Sequence, residues 1–175
     1  MEHLISKEYQ EQITEHHKNK KWGGAIRNKT QDVHKYCVLS GAKTVLDYGA
    51  GSGDFLDTLK SYGYELDYQV HEYEPGVPEK AGDPPVCDFL VCCDVLEHIE
   101  PDKIDAVLKH MYDKTKKFAF IHLSTQPALG AFVGGGNLHV LVKPGDWWVK
   151  ELSKYWEFID LIITKGNVIC LCKKV

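Results

Sequence analysis

Short apolar runs alternate with amphipathic segments along the whole of this 175-residue chain. The runs at 89–93 and 118–123 are nearly continuous and apolar, which is typical of parallel strands buried on both faces. Between them, apolar residues from 101 to 111 recur at the spacing of one helix face. The predicted strands cover residues 43–48, 65–73, 89–93, 118–123, 158–164 and 168–172. The predicted helices cover residues 6–20, 30–40, 54–62, 101–111 and 146–155.

The order of these elements predicts one α/β domain. Strands that alternate with helices indicate a doubly wound, Rossmann-like sheet that is mostly parallel. The last two strands are joined by Lys165-Gly166-Asn167, which is typical of a hairpin, so the final strand is predicted to be antiparallel. The chain shows no repeat and no long linker. We therefore expect a single domain over 1–175, with a helical arm over 1–29 and the sheet over 30–175.

Composition narrows the class of protein. A net charge of −4 and a pI near 6.1 give no overall attraction to polyanions. No apolar run approaches the roughly 20 residues that span a bilayer, and the N-terminus is too polar for a signal peptide. Six cysteines lie mostly within apolar runs and form no C-x-x-C pair. We expect them to be buried thiols of a cytoplasmic protein, with neither a zinc site nor disulfides.

The segment after the first predicted strand carries the strongest functional signal. Asp47 is followed by Gly49, Gly51 and Gly53, and then by the start of a helix. Strand, glycine turn and helix in this order indicate a nucleotide-type site at the carboxyl end of a parallel strand. The dinucleotide fingerprint needs a third glycine where Asp54 stands, and a P-loop needs a lysine that is absent. NAD and ATP sites are therefore disfavoured.

The spacing D-x-G-x-G-x-G resembles motif I of the class I S-adenosylmethionine (SAM)-dependent methyltransferases. The resemblance implies that SAM is the cofactor. It also implies that Gly49, Gly51 and Gly53 pass beneath the methionine and ribose portions of SAM, and that Asp47 helps to hold the amino end. The alternating strands and helices agree with the fold of that family.

A second acidic site is expected at the end of the next strand. A ribose calls for a carboxylate about 20 residues past the glycines, one that can accept from both hydroxyls. Glu72 and Glu74 are both candidates. Glu74 stands at the strand end directly before Pro75, where the chain must leave the sheet, so we favour Glu74. The alternative is that one or both are solvated loop acids.

The segment Asp94-Val95-Leu96-Glu97-His98-Ile99 follows the buried strand 89–93. It resembles a segment frequent in methyltransferases that act on small molecules, and this places Asp94 near the methionine or methyl end of SAM. Glu97 and His98 are candidates to orient or deprotonate an acceptor. Alternatively, they only bind neighbouring loops or cap the following helix. Methyl transfer depends largely on positioning, so no strong base is required.

The tetrapeptide Asp83-Pro84-Pro85-Val86 looks like the D-P-P-Y signature of nucleic-acid amino-methyltransferases. It precedes the strand 89–93 instead of following it, and it lacks the aromatic residue that stacks on a flipped base. A nucleic-acid acceptor is therefore not favoured. We expect a loop role for Asp83, with a contact to the SAM adenine as the alternative.

A further group of polar and aromatic residues follows the strand 118–123. His122 and Ser124 lie at the strand end, and the glycine-rich loop 124–142 holds Asn137 and His139. The spacing N-x-H-x-x-x-K-P-x-x-W-W resembles small methyltransferase-like proteins encoded by tailed bacteriophages, which implies a host-cytoplasmic location. Asn137 and His139 either face the acceptor or tie down the loop, and the paired tryptophans either contact the acceptor or pack onto the sheet.

The basic cluster 16–21, beside Trp22, has three interpretations. It could recruit an anionic acceptor, or the arm could cover SAM as a lid, as the resemblance implies. Such runs are also commonly solvated, and lysines near a helix end favour its dipole.

We conclude that the sequence predicts a SAM-dependent methyltransferase with an unidentified, small-molecule acceptor. The alternative is a SAM-binding sensor or partner module without methyl transfer. The predicted cofactor residues are Asp47, Gly49, Gly51, Gly53, Glu74 and Asp94. The candidate catalytic residues are Glu97, His98, His122 and His139. No metal ligand is predicted, and the sequence does not indicate an oligomeric state.

Overall fold

The computed structural model describes residues 4–19, 24–132 and 135–175, which form a six-stranded sheet with helices on both faces. The helices are α1 (Lys7–Asn19), α2 (Thr30–Leu39), α3 (Asp54–Ser61), α4 (Ile104–Lys114) and α5 (Gly145–Leu152). The strands are β1 (Thr44–Tyr48), β2 (Gln69–Tyr73), β3 (Cys87–Cys93), β4 (Thr115–Ser124), β5 (Trp156–Ile163) and β6 (Asn167–Lys174). Short 3-10 helices cover Gly24–Lys29, Pro78–Lys80 and Leu96–His98.

The strand order β2-β1-β3-β4-β6-β5 confirms the predicted fold class. The first four strands of this order are parallel, and β6 runs antiparallel to both β4 and β5. After β1 the chain adds β2 on one side and then crosses to place β3 on the other. Ligands of open α/β sheets bind at such a switch point, outside the carboxyl ends of the strands.

Side chains of the central strands alternate between two cores, as the pleat of a buried sheet requires. Val45 and Phe89 point to the face covered by α2 and α3. Leu46 and Leu90 point to the opposite face, which α1, α4 and α5 cover. All four side chains are fully buried. This burial explains why the strands read as apolar runs.

Several predicted boundaries are wrong by a few residues. The predicted strand 65–73 begins only at Gln69, because β1 begins at Thr44 and offers residues 65–68 no partner. Pro101 to Lys103 form a turn before α4 instead of its first helical turn. The last predicted helix ends at Leu152.

None of the described helices combines the length and apolarity needed to cross a membrane.

Candidate functional site

The turn after β1 is tied to the end of β2. The amides of Gly49 and Ala50 both donate to the carbonyl oxygen of Tyr73, at 2.8 and 3.0 Å. Gly49 has φ of 80°, and a Cβ at this position would lie 2.3 Å from Cγ2 of Val95. Glycine is therefore required here for both its backbone conformation and its small size. The turn brings the ends of β1 and β2 close to the segment that follows β3.

The rest of the turn is held by polar side chains. The Gly51 amide donates to Oε2 of Glu74 at 3.2 Å, and Nζ of Lys80 donates to the Gly51 carbonyl oxygen at 3.1 Å. Gly53 has φ of 90°, and a Cβ there would meet Oε1 of Glu72 at 2.7 Å. Helix α3 starts at the next residue. The predicted strand, glycine turn and helix are thus present.

A cavity of about 270 Å³ opens at the carboxyl ends of β1, β2 and β3. Apolar and aromatic side chains form most of its wall, including Tyr9 and Ile13 of α1 and Ile5 just before that helix. A partly enclosed apolar cavity with a few polar groups is the usual form of a small-molecule site. Six of the predicted site residues line it: Gly49, Gly51, Glu74, Asp94, His98 and His139.

The other four predicted residues lie just outside this wall. Asp47 and Gly53 belong to the strand and turn that support Gly49 and Gly51. Glu97 is fully buried next to His98, and His122 is buried in β4. The ten predicted residues therefore lie in one region, but only six of them line the cavity.

Asp47 is a buried carboxyl in acidic surroundings. Its pKa is raised to about 7, chiefly by burial and also by the nearby carboxylates of Glu72, Glu74 and Asp54, while Lys80 opposes this rise. The Asp47 side chain does not line the cavity. Asp47 can therefore support the glycine turn but does not contact a ligand in the cavity.

Of the two candidate ribose acids, Glu74 faces the cavity. Its side chain is buried, with Oε1 accepting from the Gly76 amide at 2.9 Å and lying 3.8 Å from Nε2 of His17. Glu72 instead pairs with Lys80 at 3.1 Å, beneath the start of α3. This arrangement agrees with the preference for Glu74.

Asp94 adopts a left-handed backbone conformation, with φ of 53°. Its amide donates to the carbonyl oxygen of His122, and its Oδ1 lies 2.6 Å from Nδ1 of His122 without hydrogen-bond geometry. His122 is therefore a neighbour of Asp94 and does not reach the cavity itself. Strained backbone of this kind is concentrated at functional sites, where surrounding contacts hold it in place.

Glu97 and His98 have strongly shifted pKa values. The pKa of Glu97 is raised to about 8, chiefly by burial and also by the charge of Asp94. Burial lowers the pKa of His98 to about 4, although its Nδ1 contacts the Leu138 carbonyl oxygen at 2.8 Å. His98 is therefore neutral near pH 7, whereas Glu97 can exchange a proton there. Such tuned groups are typical of functional sites.

The loop after β4 ties itself down through Asn137. Its Oδ1 accepts from the amides of Ala128 and His139, and its Nδ2 donates to the Ala128 carbonyl oxygen. His139 lies against His98 with ring centroids 4.7 Å apart. Trp148 is fully buried in the core and does not line the cavity. The loop-tying interpretation of Asn137 and the packing interpretation of Trp148 are therefore the ones that the geometry supports.

Asp83 has a loop role. Its carboxylate accepts from Nζ of Lys114 at 2.6 Å and lies 3.4 Å from Nε2 of His110. These contacts keep the pKa of Asp83 below its ordinary value. Asp83 does not line the cavity.

The sequence offered the arm as a lid over SAM but did not identify the residues with which the arm lines the cavity. Ile5, Tyr9 and Ile13 recur every fourth residue and face it, with the hydroxyl of Tyr9 buried and without a hydrogen-bond partner among the described residues. This spacing is the signal that could have revealed a buried helix face. Of the basic cluster, His16 to Asn19 belong to α1, whereas Lys20, Lys21 and Trp22 lie outside the described residues. Gly134 of the loop after β4 also lies outside them.

Comparison with known proteins gives one family. Residues 20–152 match a family described as a methyltransferase domain. No curated protein sequence matches the chain significantly.

Solved structures share the fold at low sequence identity. The methyltransferase domain of bacterial CtHen1-CN is 15% identical, with a TM-score of 0.62 over 85% of this chain and 99% of that chain. A 1,6-didemethyltoxoflavin-N1-methyltransferase from Burkholderia thailandensis, solved with its namesake compound and S-adenosylhomocysteine, is 13% identical, with a TM-score of 0.60 over 87% and 79%. Magnesium protoporphyrin IX methyltransferase from Synechocystis PCC 6803, solved with SAM, is 14% identical, with a TM-score of 0.56 over 86% and 84%.

The close approach of Val95 to Gly49 gives a stability prediction. Gly49→Ala should destabilise the protein by roughly 2–5 kcal/mol, because a left-handed alanine costs about 1–2 kcal/mol and overpacking adds about 1–3 kcal/mol. Gly63→Ala is the matched control, since Gly63 has φ of 73° but open space around its Cβ position. Urea unfolding of both variants measures the difference. Equal losses of stability in the two variants would show that Val95 does not restrict the residue at position 49. The double variant Gly49→Ala/Val95→Ala should recover part of the stability that Gly49→Ala loses.

The raised pKa of Asp47 gives a pH prediction. The folded protein keeps the Asp47 proton up to about pH 7, whereas the unfolded chain releases it near the ordinary aspartate pKa of 3.8. Asp47 therefore favours the folded state at low pH, and this contribution is lost as pH rises through 7. Asp47 accounts for roughly 1–2 kcal/mol of the change in the free energy of unfolding between pH 6 and pH 8.

Asp47→Asn should remove that contribution, as measured by urea unfolding at both pH values. Asp57→Asn, an exposed change in the first turn of α3, is the control and should leave the wild-type pH dependence intact. The same pH dependence in Asp47→Asn as in the wild type would show that Asp47 titrates normally.

Proposed function

This chain belongs to a family of methyltransferase domains, matched over residues 20–152, and on that premise we propose that it transfers a methyl group from SAM to a small-molecule acceptor. The observation that carries the proposal is the cavity at the switch point of the sheet, between the turn at Gly49 and Gly51 and the buried carboxylate of Glu74. Solved relatives of the same fold contain SAM or S-adenosylhomocysteine.

The residues around the cavity fit SAM. Gly49 and Gly51 line the cavity without a side chain, so a ligand can approach the backbone of the turn closely. Glu74 presents a buried carboxylate, and a carboxylate has more acceptor positions than the two amides of Gly51 and Gly76 occupy. It can therefore also accept from the ribose hydroxyls. Asp94 would lie near the methionine or methyl end, and Asp47 and Gly53 would support the turn from behind.

When bound, SAM supplies a methyl group on a sulfonium, which an acceptor atom can take by in-line displacement. The chain's own task is to position the acceptor and exclude water. His98 and His139 line the acceptor side of the cavity, with Glu97 behind them. Glu97 is fully buried and does not line the cavity, so its role would be to support this side of the cavity and not to take a proton directly from the acceptor. His122 would act through Asp94 as a positioning residue.

The arm at 1–29 is proposed to act as a lid. The arm lines the cavity with Ile5, just before α1, and with Tyr9 and Ile13 of α1. It is held by a hydrogen bond from the Ser6 amide to Glu100 and by one from the Gln10 side chain to the Pro75 carbonyl oxygen.

A small-molecule acceptor is supported by the size and apolar wall of the cavity and by the net charge of −4. The names of two proteins with the same fold give small molecules as their substrates, 1,6-didemethyltoxoflavin and magnesium protoporphyrin IX. A nucleic-acid acceptor is less favoured, because phosphate binding relies on basic surfaces. The resemblance to bacteriophage proteins and the six free cysteines support a location in a host cytoplasm.

The site geometry gives a binding prediction. Glu74→Gln should weaken SAM and S-adenosylhomocysteine binding by roughly 10- to 100-fold, because hydrogen bonds to a charged acceptor are worth about 1.5–3 kcal/mol. Isothermal calorimetry measures the change. Glu79→Gln, an exposed change in the nearby 3-10 helix, is the matched control and should bind as the wild type does. Glu72→Gln tests the alternative acid and should have the smaller effect.

Radiolabelled SAM separates a transferase from a binding module. Incubated with the chain and a cell extract, it should label a small-molecule fraction, and less so with Glu74→Gln. Tight SAM binding without any labelling would favour the binding module. Binding of NAD in place of SAM would overturn the cofactor assignment.

A further inference from the structure

Three side chains with metal-binding atoms meet at the acceptor end of the cavity. Glu97 and His98 belong to the short 3-10 helix after β3, and His139 comes from the loop after β4. One ligand atom from each lies within 4.8 Å of the other two. Two of the three residues, His98 and His139, line the cavity. The fold thus brings together residues that are separated in the chain.

Both histidines are oriented by backbone carbonyl groups. Nδ1 of His98 lies 2.8 Å from the Leu138 carbonyl oxygen, and Nδ1 of His139 lies 2.5 Å from the Gln126 carbonyl oxygen. A carbonyl oxygen only accepts, so Nδ1 of each ring donates its hydrogen and Nε2 carries the lone pair. Histidines that bind metal ions use this arrangement, in which an outer hydrogen bond fixes the tautomer and the ring direction.

Glu97 supplies a buried carboxyl group beside the two histidines. Its side chain is fully buried, and Oε1 accepts from the Ser124 amide at 2.7 Å. Oε2 is also buried and has no hydrogen-bond partner among the described residues. A buried polar oxygen without a partner is costly. A bound cation would remove this cost.

We propose that Glu97, His98 and His139 bind a divalent transition-metal ion through one carboxylate oxygen and two imidazole nitrogens. This ligand set suits ions from Mn²⁺ to Zn²⁺, whereas Mg²⁺ and Ca²⁺ prefer oxygen ligands. Metal–ligand bonds of about 2.0–2.2 Å require the ligand atoms to come within roughly 4 Å of one another. Side-chain movements of about 1 Å would achieve this.

Three protein ligands leave positions open on the metal, as in catalytic sites. Since His98 and His139 line the cavity, these positions would face it and suit an oxygen atom of the acceptor. This last consequence rests on the proposed function, whereas the metal site does not. The sequence led us to expect no metal, because its ligands are not arranged in a recognisable local motif.

The proposal can be tested by calorimetry of the full chain. The chain is first stripped of metal with a chelator and is then titrated with ZnCl₂ or MnCl₂ in the absence of SAM. One equivalent of at least one of these ions should bind. His139→Gln and Glu97→Gln should each weaken that binding at least tenfold. His71→Gln, the same change at a partly exposed histidine of β2 outside the cluster, should leave it unchanged. Zn²⁺ should also raise the unfolding temperature of the wild type more than that of His139→Gln.

The proposal is overturned if neither ion binds stoichiometrically. It is also overturned if His139→Gln binds the ion as tightly as the wild type does, because the ion would then lie elsewhere, for instance on a cysteine. If Glu97→Gln fails to fold, His139→Gln decides alone, because His139 lies on a loop. SAM calorimetry on the stripped chain distinguishes failure of the metal site from failure of the proposed function.

Discussion

The carbonyl oxygen of Tyr73 accepts hydrogen bonds from both Gly49 and Ala50, and the candidate site depends on this junction. It joins the end of β2 to the turn after β1. The close packing of Gly49 against Val95 then joins that turn to the segment after β3. Three strand ends are thus held together at the switch point of the sheet, and their side chains surround one cavity. A residue larger than glycine at this junction would separate them.

Much of the fold and part of the site could be predicted from the sequence, because their signals are local. The glycine turn and Glu74 each follow directly from a strand end. The wall formed by α1, including Tyr9, could not be located in this way, because it depends on a contact between distant parts of the chain. The same holds for His139, whose place beside His98 is set by the folded loop after β4. The second strand was predicted to begin at residue 65 but begins at Gln69. Residues with high β-propensity do not extend a sheet where no neighbouring strand is available for pairing.

Burial of acidic groups is the common feature of the site's chemistry. Asp47 and Glu97 are both buried, and their pKa values are raised to about 7 and about 8. Glu74 is also buried but accepts from two backbone amides. Buried acidic groups are costly unless another group compensates for their desolvation, and groups with shifted pKa values cluster at functional sites. For Glu74 the compensating groups would be the hydroxyls of the cofactor, and for Glu97 a metal ion. The two ends of the cavity would thus recognise different partners.

A crystal structure of the chain with S-adenosylhomocysteine tests the central claim most directly. The account predicts the ligand in the cavity, with its ribose hydroxyls on Glu74 and its backbone contacts at the turn of Gly49 and Gly51. The end that carries the sulfur should point towards Asp94 and His98. A ligand bound elsewhere, or one whose ribose contacts Glu72 while Glu74 stays bound only to Gly51 and Gly76, would contradict it.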